Sequence, residues 1–153
     1  MSALCEKVNA NVHELSTIIG SDSRIGNKFL KSGIGFGGSC FEKDILGLVY
    51  LCEYYQLSEV ANYWRSILNI NNYQKYRFFL KLMERLFGSL RRKKVCILGL
   101  SFKKDTGDTR NSPSIDIIQH VLNEGAEVSV YDPKVTEESV KDISEHLIFE
   151  KVF

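Results

Sequence analysis

Cysteine and histidine are sparse in this sequence, and neither is arranged as a disulfide or metal site would require. The 153 residues include four cysteines, no two of which form a C-x-x-C pair: Cys5, Cys40, Cys52 and Cys96. A disulfide framework is therefore not expected. His13, His120 and His146 are equally far apart, so no pair has the short spacing that places two ligands on one helix face. We expect no zinc or other metal site.

An excess of charge of one sign and a long apolar run are also missing. Lys and Arg number 20 and Asp and Glu number 19, which leaves a net charge of +1. Because the positive and negative residues nearly cancel, a protein dedicated to binding the phosphate backbone of nucleic acids is excluded. No stretch approaches the roughly 20 apolar residues that cross a bilayer, and the chain does not open with the apolar core of a signal peptide. We expect a soluble cytoplasmic protein with no nucleic-acid or membrane partner.

Helical periodicity is abundant in the first part of the chain. Apolar residues recur every three to four positions over residues 4–19, which predicts an amphipathic helix without a visible N-cap. After a glycine-rich segment at 26–38, a second helix is predicted as far as about Tyr55. Ser58 can cap a third, which runs to Phe87 and would be about 45 Å long. Such a rod usually joins two domains or forms a subunit interface, and its aromatic stripe is typical of packing within or between chains.

The pattern changes from helical to strand-like in the last third of the chain. Residues 95–98 are a short apolar run that predicts a buried parallel strand. Ser112-Pro113 predicts the start of a helix and Gly125 its end. A second strand is predicted at 128–131. A strand, a helix and a strand within about 40 residues make a βαβ unit.

The sequence thus predicts an α/β protein with two parts. Residues 1–90 form a helical central domain that includes the long connecting helix, and residues 91–153 form the start of a doubly wound, Rossmann-like domain. Only a weak helix at 136–145 and a possible strand at 147–153 follow the βαβ unit, which is too little to complete such a sheet. We therefore expect both ends of the sequence to be cut and the chain to be a fragment.

A glycine-rich segment precedes the second helix and invites a dinucleotide-binding interpretation. Gly33, Gly35 and Gly38 satisfy G-x-G-x-x-G, but that fingerprint requires a preceding apolar strand and a later ribose-binding acid, and neither is present. We reject the Rossmann interpretation of these glycines. Glycine still allows backbone N–H groups to approach a ligand closely, and nearby cations indicate an anionic one: Arg24, Lys28 and Lys31. The alternative is a flexible surface loop.

The next helix begins with a pattern suited to a reactive cysteine. Ser39 and Glu42 have the spacing of a capping box, which would make Cys40 the first helical residue. A thiolate there would face unpaired N–H groups and the positive end of the helix dipole. Asp44, one turn further along, opposes thiolate formation but can hold a water or a substrate hydroxyl. The alternatives are a buried inert thiol and a solvated pair of Lys43 and Asp44. The other three cysteines are assigned to packing.

Two long motifs resemble known enzymes. The first is NKFLK at 27–31 followed by GFGGSCF at 35–41 and KD at 43–44, and the second is GLSFKKDTGDTR at 99–110. In order and separation they resemble the UDP-glucose 6-dehydrogenases of the nucleotide-sugar 6-dehydrogenase family. The resemblance implies an NAD-dependent, two-step oxidation of UDP-glucose to UDP-glucuronate. It also implies a homo-oligomer formed through the helical domain.

The resemblance implies roles for individual residues. Cys40 matches the nucleophile that forms a thiohemiacetal and then a thioester, and Asp44 matches a carboxylate that assists proton transfer or positions water. Substrate contacts fall on the following residues: Arg24, Lys31, Ser32, Gly33, Ile34, Gly35, Phe36, Gly37, Phe102 and Lys103. Cofactor contacts to NAD fall on Cys40, Lys43 and Arg110. Arg24 matches an arginine that reaches the substrate of a neighbouring subunit.

The sequence departs from this family where the cofactor would bind. The family's own glycine fingerprint is absent, as are the catalytic lysine and glutamate that precede its central helices, so we expect no turnover by this chain alone. Three alternatives stay open. The first is a noncatalytic helical dimerisation module with an inert Cys40. The second is a dehydrogenase for another nucleotide sugar, and the third is part of a thioester-forming aldehyde dehydrogenase on another scaffold.

Overall fold

The computed structural model describes residues 1–141, 143 and 147–149 of the chain. It divides into two units, Met1–Gly33 and Ile34–Phe153. In chain order the elements are α1 (Ser2–Lys7), α2 (Val12–Gly20), α3 (Ser39–Tyr54), α4 (Ser58–Arg85), β1 (Lys94–Leu98), α5 (Pro113–Asn123), β2 (Glu127–Tyr131), α6 (Glu137–Lys141) and β3 (Leu147–Phe149). None of the described helices combines the length and the apolar character that a bilayer crossing needs.

The first unit contains two short helices where the periodicity predicted one. The predicted helix over residues 4–19 is wrong in its middle, because a break separates α1 from α2. Asn9 adopts the left-handed backbone conformation with a φ of 55°, which asparagine tolerates better than most residues. The side chain of Asn11 then accepts a hydrogen bond from the backbone N–H of His13 (2.9 Å) and caps α2. This helix therefore has the N-cap that the apolar pattern did not reveal.

The long third helix of the sequence analysis is confirmed as α4, which has 28 residues and so extends for about 42 Å. It starts after Leu57 without a side-chain cap, so the predicted capping role of Ser58 is wrong. It ends close to the predicted Phe87, whose φ of 60° is incompatible with a continuing helix. Helix α3 packs against α4, and an ion pair between Glu53 and Arg65 joins the two helices.

The predicted βαβ unit is confirmed. Strands β1 and β2 pair in parallel, with Val95 beside Val128, and α5 lies between them in the chain. The side chain of Ser112 accepts a hydrogen bond from the N–H of Ser114 (3.4 Å) and caps α5, and Gly125 follows the helix with a φ of 75°. Strand β3 pairs in parallel with β2, so the sheet order is β1-β2-β3. The chain is therefore α/β overall, as the sequence predicts.

The described residues cover the C-terminal predictions only in part. Helix α6 covers Glu137–Lys141 of the helix predicted at 136–145, and β3 covers Leu147–Phe149 of the strand predicted at 147–153. Apart from residues 136 and 143, which are described and lie outside α6, the remainder of both predictions lies outside the described residues.

One face of the sheet carries the hydrophobic core of the second unit. The buried side chains come from β2, α5, α6, the end of α4 and the linking segments: Phe79, Leu90, Leu100, Ile117, Ile118, Val121, Ala126, Val128, Val130, Val135 and Val140. Val95 and Ile97 of β1 pack against this cluster, whereas Cys96 is exposed and Leu98 is 75% exposed. The expectation of a buried β1 with Cys96 in packing is therefore wrong. Side chains alternate between the two faces of a strand, and the described elements cover only one face of this edge strand. Cys96 and Leu98 therefore lie on the face that is exposed to solvent. Cys5 is buried, as expected.

A buried carboxylate organises the carboxyl end of the sheet. Asp132, directly after β2, accepts hydrogen bonds from the backbone N–H groups of Leu100 (2.8 Å), Ser101 (3.1 Å) and Lys134 (2.8 Å). Burial acts to raise the pKa of Asp132, but these bonds and one from the Ser101 hydroxyl outweigh it and hold the pKa below its ordinary value. Because Leu100 and Ser101 follow β1, the carboxylate fixes the loop that leaves this strand.

Replacing Asp132 by alanine is expected to lower the free energy of unfolding by about 2–4 kcal/mol, because backbone N–H groups after β1 lose their acceptor. Chemical denaturation followed by circular dichroism measures the loss. Glu127→Ala removes an exposed carboxylate from the first position of β2. This matched control should change the free energy of unfolding by less than about 0.5 kcal/mol. Equal effects of the two substitutions would contradict the role given to Asp132.

Candidate functional site

The glycine-rich segment lies against the middle of α4. The side chain of Asn71 accepts a hydrogen bond from the backbone N–H of Phe36 (2.8 Å) and donates one to the Phe36 carbonyl (3.0 Å). A Cβ atom on Gly35, which has a φ of 132°, would lie 2.8 Å from the Oδ1 atom of Asn71. Glycine is therefore needed at this position for the segment to approach the helix so closely. Ile34, just before it, packs against the hydrophobic core.

Two further glycines bring the start of α3 against the loop that follows β1. A Cβ atom on Gly37 would lie 2.4 Å from the carbonyl oxygen of Asn111, and one on Gly38 would lie 2.9 Å from the Phe102 ring. The N–H of Gly38 donates a hydrogen bond to the carbonyl of Arg110 (3.1 Å). From the sequence, the close approach at these glycines was expected to involve a ligand. In the structure, the group that approaches Gly37 and Gly38 is the second motif of the same chain.

The start of α3 differs from the predicted capping box. Gly38 is the N-cap residue, and Ser39 is the first residue of the helix with no side-chain cap. The carboxylate of Glu42 instead accepts a hydrogen bond from the side-chain amide of Asn111 (2.6 Å). The capping box is therefore wrong, and Cys40 is the second helical residue rather than the first. It still lies in the first turn of a 16-residue helix, where backbone N–H groups lack helical partners.

Cys40 is exposed on this turn and interacts electrostatically with Arg110. The pKa of Arg110 is raised first by its hydrogen bond to Asp108 and by the charge of that carboxylate, and the charge of Cys40 adds to the rise. Lys43 and Asp44 are exposed about one turn further along the same helix. The thiol is therefore not buried, contrary to the inert alternative.

Asp108 orients the Arg110 side chain. Its carboxylate accepts hydrogen bonds from the backbone N–H (2.9 Å), the Nε atom (3.0 Å) and an Nη atom (2.7 Å) of Arg110. These hydrogen bonds lower the pKa of Asp108 to about 2. The N–H of Phe102 donates to the Asp108 carbonyl (3.0 Å) and closes the loop, and the Lys103 ammonium lies 5.2 Å from the centre of the Phe102 ring. The loop thus presents two cations at the carboxyl end of β1, where open α/β sheets bind ligands.

Four predicted substrate residues lie in the first unit. The side chain of Arg24 is 86% exposed and is held by Asp22. The Asp22 carboxylate accepts hydrogen bonds from the Arg24 backbone N–H (2.9 Å) and guanidinium (2.6 Å), and the side-chain bond is the main cause of the lowered pKa of Asp22. The other three are exposed at the end of this unit: Lys31, Ser32 and Gly33.

The remaining predicted residues lie in the second unit, within or next to the two motifs that contact each other: Ile34, Gly35, Phe36, Gly37, Cys40, Lys43, Asp44, Phe102, Lys103 and Arg110.

Three residues of this region were not predicted from the sequence: Asn71, Asp108 and Asn111. A signal for Asp108 was present, since Asp-x-Arg occurs at both 22–24 and 108–110. Asn71 lies on the buried side of α4, where an amide without hydrogen-bond partners would be costly. A polar residue on the apolar side of a predicted helix is the signal that could have identified Asn71.

The pKa of Asp108 predicts that its ion pair with Arg110 persists in mild acid. The folded value is about 2, against an ordinary value of 3.8. A lowered carboxyl pKa stabilises the folded state above the unfolded value, and that contribution is lost as the pH falls through the folded value. NMR titration of the Asp108 carboxyl carbon should therefore give a midpoint near 2, and Arg110→Gln should move it up towards 3.8. A midpoint near 3.8 in the unsubstituted chain would contradict the geometry.

Comparison with known proteins matches both parts of the chain to one family. The family model for the central domain of the UDP-glucose/GDP-mannose dehydrogenase family matches residues 1–73. The model for the UDP binding domain of the same family matches residues 96–152. Each of the two motifs falls within one of these ranges.

Relatives and a solved structure agree with this match. The chain is 55% identical to UDP-glucose 6-dehydrogenase 3 of Arabidopsis thaliana over 92% of this chain and 29% of the relative. It is 54% identical to UDP-glucose 6-dehydrogenase of Mus musculus over 92% of this chain and 28% of the relative. A UDP-glucose dehydrogenase structure from the hyperthermophilic archaeon Pyrobaculum islandicum aligns with a TM-score of 0.86 and 31% identity, over 95% of this chain and 33% of that chain. The chain thus spans less than a third of the length of these curated relatives, and it belongs to the UDP-glucose/GDP-mannose dehydrogenase family.

Proposed function

We propose that this chain carries the nucleophile and part of the UDP-sugar site of an NAD-dependent UDP-glucose 6-dehydrogenase, which oxidises UDP-glucose to UDP-glucuronate. The contact between the two motifs is the observation that supports this most strongly. The first turn of α3, with Cys40, meets the loop that carries Lys103 and Arg110. The relatives support the choice of substrate, because those at 55% and 54% identity are named for UDP-glucose.

The proposed UDP-glucose site uses the charge and the close packing of these loops. Lys103 is a cation held beside the Phe102 ring, and it suits the negative diphosphate of the substrate. The segment before α3 supplies backbone groups and one ring to the sugar: Lys31, Ser32, Gly33, Ile34, Gly35, Phe36 and Gly37. Arg24 would come from a neighbouring subunit, which makes the complete substrate site depend on oligomerisation.

The proposed cofactor residues fit the charge of a dinucleotide. Arg110 and Lys43 are exposed cations, and Asp108 holds the Arg110 guanidinium in one orientation, which favours a phosphate partner. Because the first turn of α3 meets the loop that carries Arg110, the reacting sulfur and the charged groups of the cofactor would share one surface. Two NAD molecules, bound one after the other, would each accept one of the two hydrides that the oxidation of an alcohol to a carboxylate releases.

The proposed role of Cys40 is to hold the substrate between the two oxidations. The C6 alcohol first loses a hydride and a proton and becomes an aldehyde. The Cys40 thiolate adds to the aldehyde carbon, and the oxygen takes a proton to give a thiohemiacetal. Loss of that proton and a second hydride leaves a thioester. Water adds to the thioester carbon, the carbon–sulfur bond breaks, and the carboxylate leaves with the thiolate restored, while the two protons of the water pass to solvent. Asp44 would exchange protons with the substrate oxygen or position this water.

The proposal extends to the arrangement of the whole chain. Residues 1–90 would form the helical central domain, and residues 91–153 would belong to the UDP-binding domain. Without a cofactor-binding glycine fingerprint, the chain alone would not turn over substrate. The four cysteines are free thiols, which suits a reducing compartment and a cytoplasmic location.

The test compares Cys40 with Cys96, because both thiols are exposed in the same chain. Alkylation by iodoacetamide at about pH 7 should modify Cys40 roughly two- to tenfold faster, since helix N–H groups and the Arg110 guanidinium favour its thiolate. Mass spectrometry of the two peptides measures both rates in one sample. Saturating UDP-glucose should protect Cys40 and leave Cys96 unchanged, and Arg110→Gln should slow the alkylation of Cys40 alone.

Two results of this experiment would overturn the proposal. Equal alkylation rates at the two thiols would contradict the activation of Cys40. Failure of UDP-glucose to protect Cys40 would contradict the placement of the sulfur beside the substrate. A separate activity assay tests the need for further cofactor-binding residues. Reduction of NAD by the chain alone with UDP-glucose would contradict the expectation that such residues are needed.

An exposed apolar face on α3 and α4 supports the proposed homo-oligomer. Large apolar side chains are exposed on both helices: Leu46, Tyr50, Leu51, Tyr54, Tyr63, Ile70 and Tyr73. Many large apolar side chains left exposed on two neighbouring helices are typical of a protein–protein interface. We therefore propose that copies of this chain meet through these two helices.

Substitution at this face should shift the chain towards the monomer. Ile70 of α4 is 62% exposed, and Ile70→Glu would place an unpaired charge in the contact between copies. Sedimentation velocity over a range of concentrations measures the change. Glu127→Lys, at an exposed position of β2, is the control and should leave the sedimentation coefficient unchanged. An unsubstituted chain that sediments as a monomer at every concentration would exclude this interface.

A further inference from the structure

We infer that Asn71 is a positioning residue for the proposed reaction, because its side-chain amide fixes the segment that contains Phe36 and leads into the first turn of α3. The inference rests on the proposed function. Asn71 lies in the middle of α4 and is 9% exposed. A buried amide at this place is explained by the backbone that it binds.

Both polar atoms of the Asn71 amide bind one residue of the segment. Its Oδ1 atom accepts from the Phe36 N–H (2.8 Å), and its Nδ2 atom donates to the Phe36 carbonyl (3.0 Å). One side chain thus holds both backbone groups, as a neighbouring strand would hold them. A segment bound at its donor and its acceptor can neither rotate nor slide along the helix without breaking these hydrogen bonds.

Close packing around Gly35 fixes the same segment from the side. A Cβ atom on Gly35 would lie 2.8 Å from the Oδ1 atom of Asn71 and 3.1 Å from the Cγ atom of Lys75. The stem of Lys75 therefore packs against the segment, while its ammonium forms an ion pair with Asp116 of α5. Helix α4 thus joins the segment to the helix that covers the sheet.

The position of Phe36 affects the turn that carries the nucleophile. Its ring contacts the Phe41 ring edge to face, with the ring centres 4.8 Å apart, and Phe41 directly follows Cys40 in α3. The chain between Phe36 and Cys40 is short and contains the two glycines that touch the facing loop. Loss of the Asn71 amide would therefore loosen the sugar-binding segment relative to the sulfur while the sheet keeps its core.

The variants are chosen to separate positioning from support of the fold. Asn71→Ala removes both hydrogen bonds, and Asn69→Ala, at an exposed position of the same helix, is the matched control. Asn71→Asp is the informative variant. A neutral carboxyl group can accept from the Phe36 N–H and donate to its carbonyl, whereas the carboxylate has no donor and repels that oxygen. Burial favours the neutral form, and the charge of the neighbouring Lys75 is offset by Asp116.

Calorimetric titration with UDP-glucose gives the dissociation constant of each variant between about pH 5 and about pH 8. Asn71→Ala should bind about tenfold more weakly at every pH, and Asn69→Ala should bind as the unsubstituted chain does. Asn71→Asp should resemble the alanine variant at the high end and regain affinity towards the low end. A merely structural asparagine would not produce this pH profile. Circular dichroism at each pH reports whether the variants are folded.

The outcomes distinguish the inference from the proposed function. If the unsubstituted chain does not bind UDP-glucose, the proposed function fails at its substrate, and the inference that rests on it fails too. If that chain binds and the Asn71 variants bind equally well, the inference alone is wrong. It is also wrong if Asn71→Asp has the pH profile of Asn71→Ala. Unfolding of both Asn71 variants at every pH would overturn it as well, because the amide would then support the fold rather than position the segment.

Discussion

The contact at Gly37 decides where the turn that carries Cys40 lies in this protein. A side-chain carbon at this position would come within 2.4 Å of the Asn111 carbonyl oxygen, so the first turn of α3 can rest on the loop after β1 only while the residue is glycine. Glu42 and Asn111, which are 69 positions apart in the sequence, form a hydrogen bond across this contact. Because Arg110 is next to Asn111 on that loop, the same contact places the Arg110 segment beside the turn that carries Cys40.

Polar side chains on each side of this contact bind backbone or other side chains and thereby fix the two loops. Asp132 holds the backbone that leaves β1, Asp108 holds the Arg110 guanidinium, and Asn71 holds both backbone groups of Phe36. Asn71 and Asp132 are buried, whereas Asp108 lies in the loop after β1, and each holds its partner in one orientation. Such supporting residues lower the cost of assembling a site, because its groups are already in place when substrate arrives.

The sequence predicted the elements whose signals are local. The long α4 follows from an uninterrupted helical period, and the limits of α5 follow from Ser112 and Gly125. The errors arose where a residue finds its partner far away in the sequence. Glu42 fits a capping box by spacing, yet it binds Asn111, and no local pattern announces that partner. Cys96 lies in an apolar run, but its exposure depends on which elements cover the sheet. Motif resemblance pointed to both loops of the candidate site, whereas the contact between them required the fold.

The most direct measurement of the central claim is the alkylation rate of Cys40 relative to Cys96 in two glycine variants. Gly47→Ala in α3 is the control, because no atom lies within 4 Å of a Cβ at that position, and Gly37→Ala forces the first turn of α3 away from the Asn111 carbonyl. We predict that Gly47→Ala keeps the faster rate of Cys40, while Gly37→Ala lowers the ratio to about one as the contact is forced apart. An unchanged ratio in a folded Gly37→Ala chain would contradict the claim that this contact sets the reactivity of the sulfur.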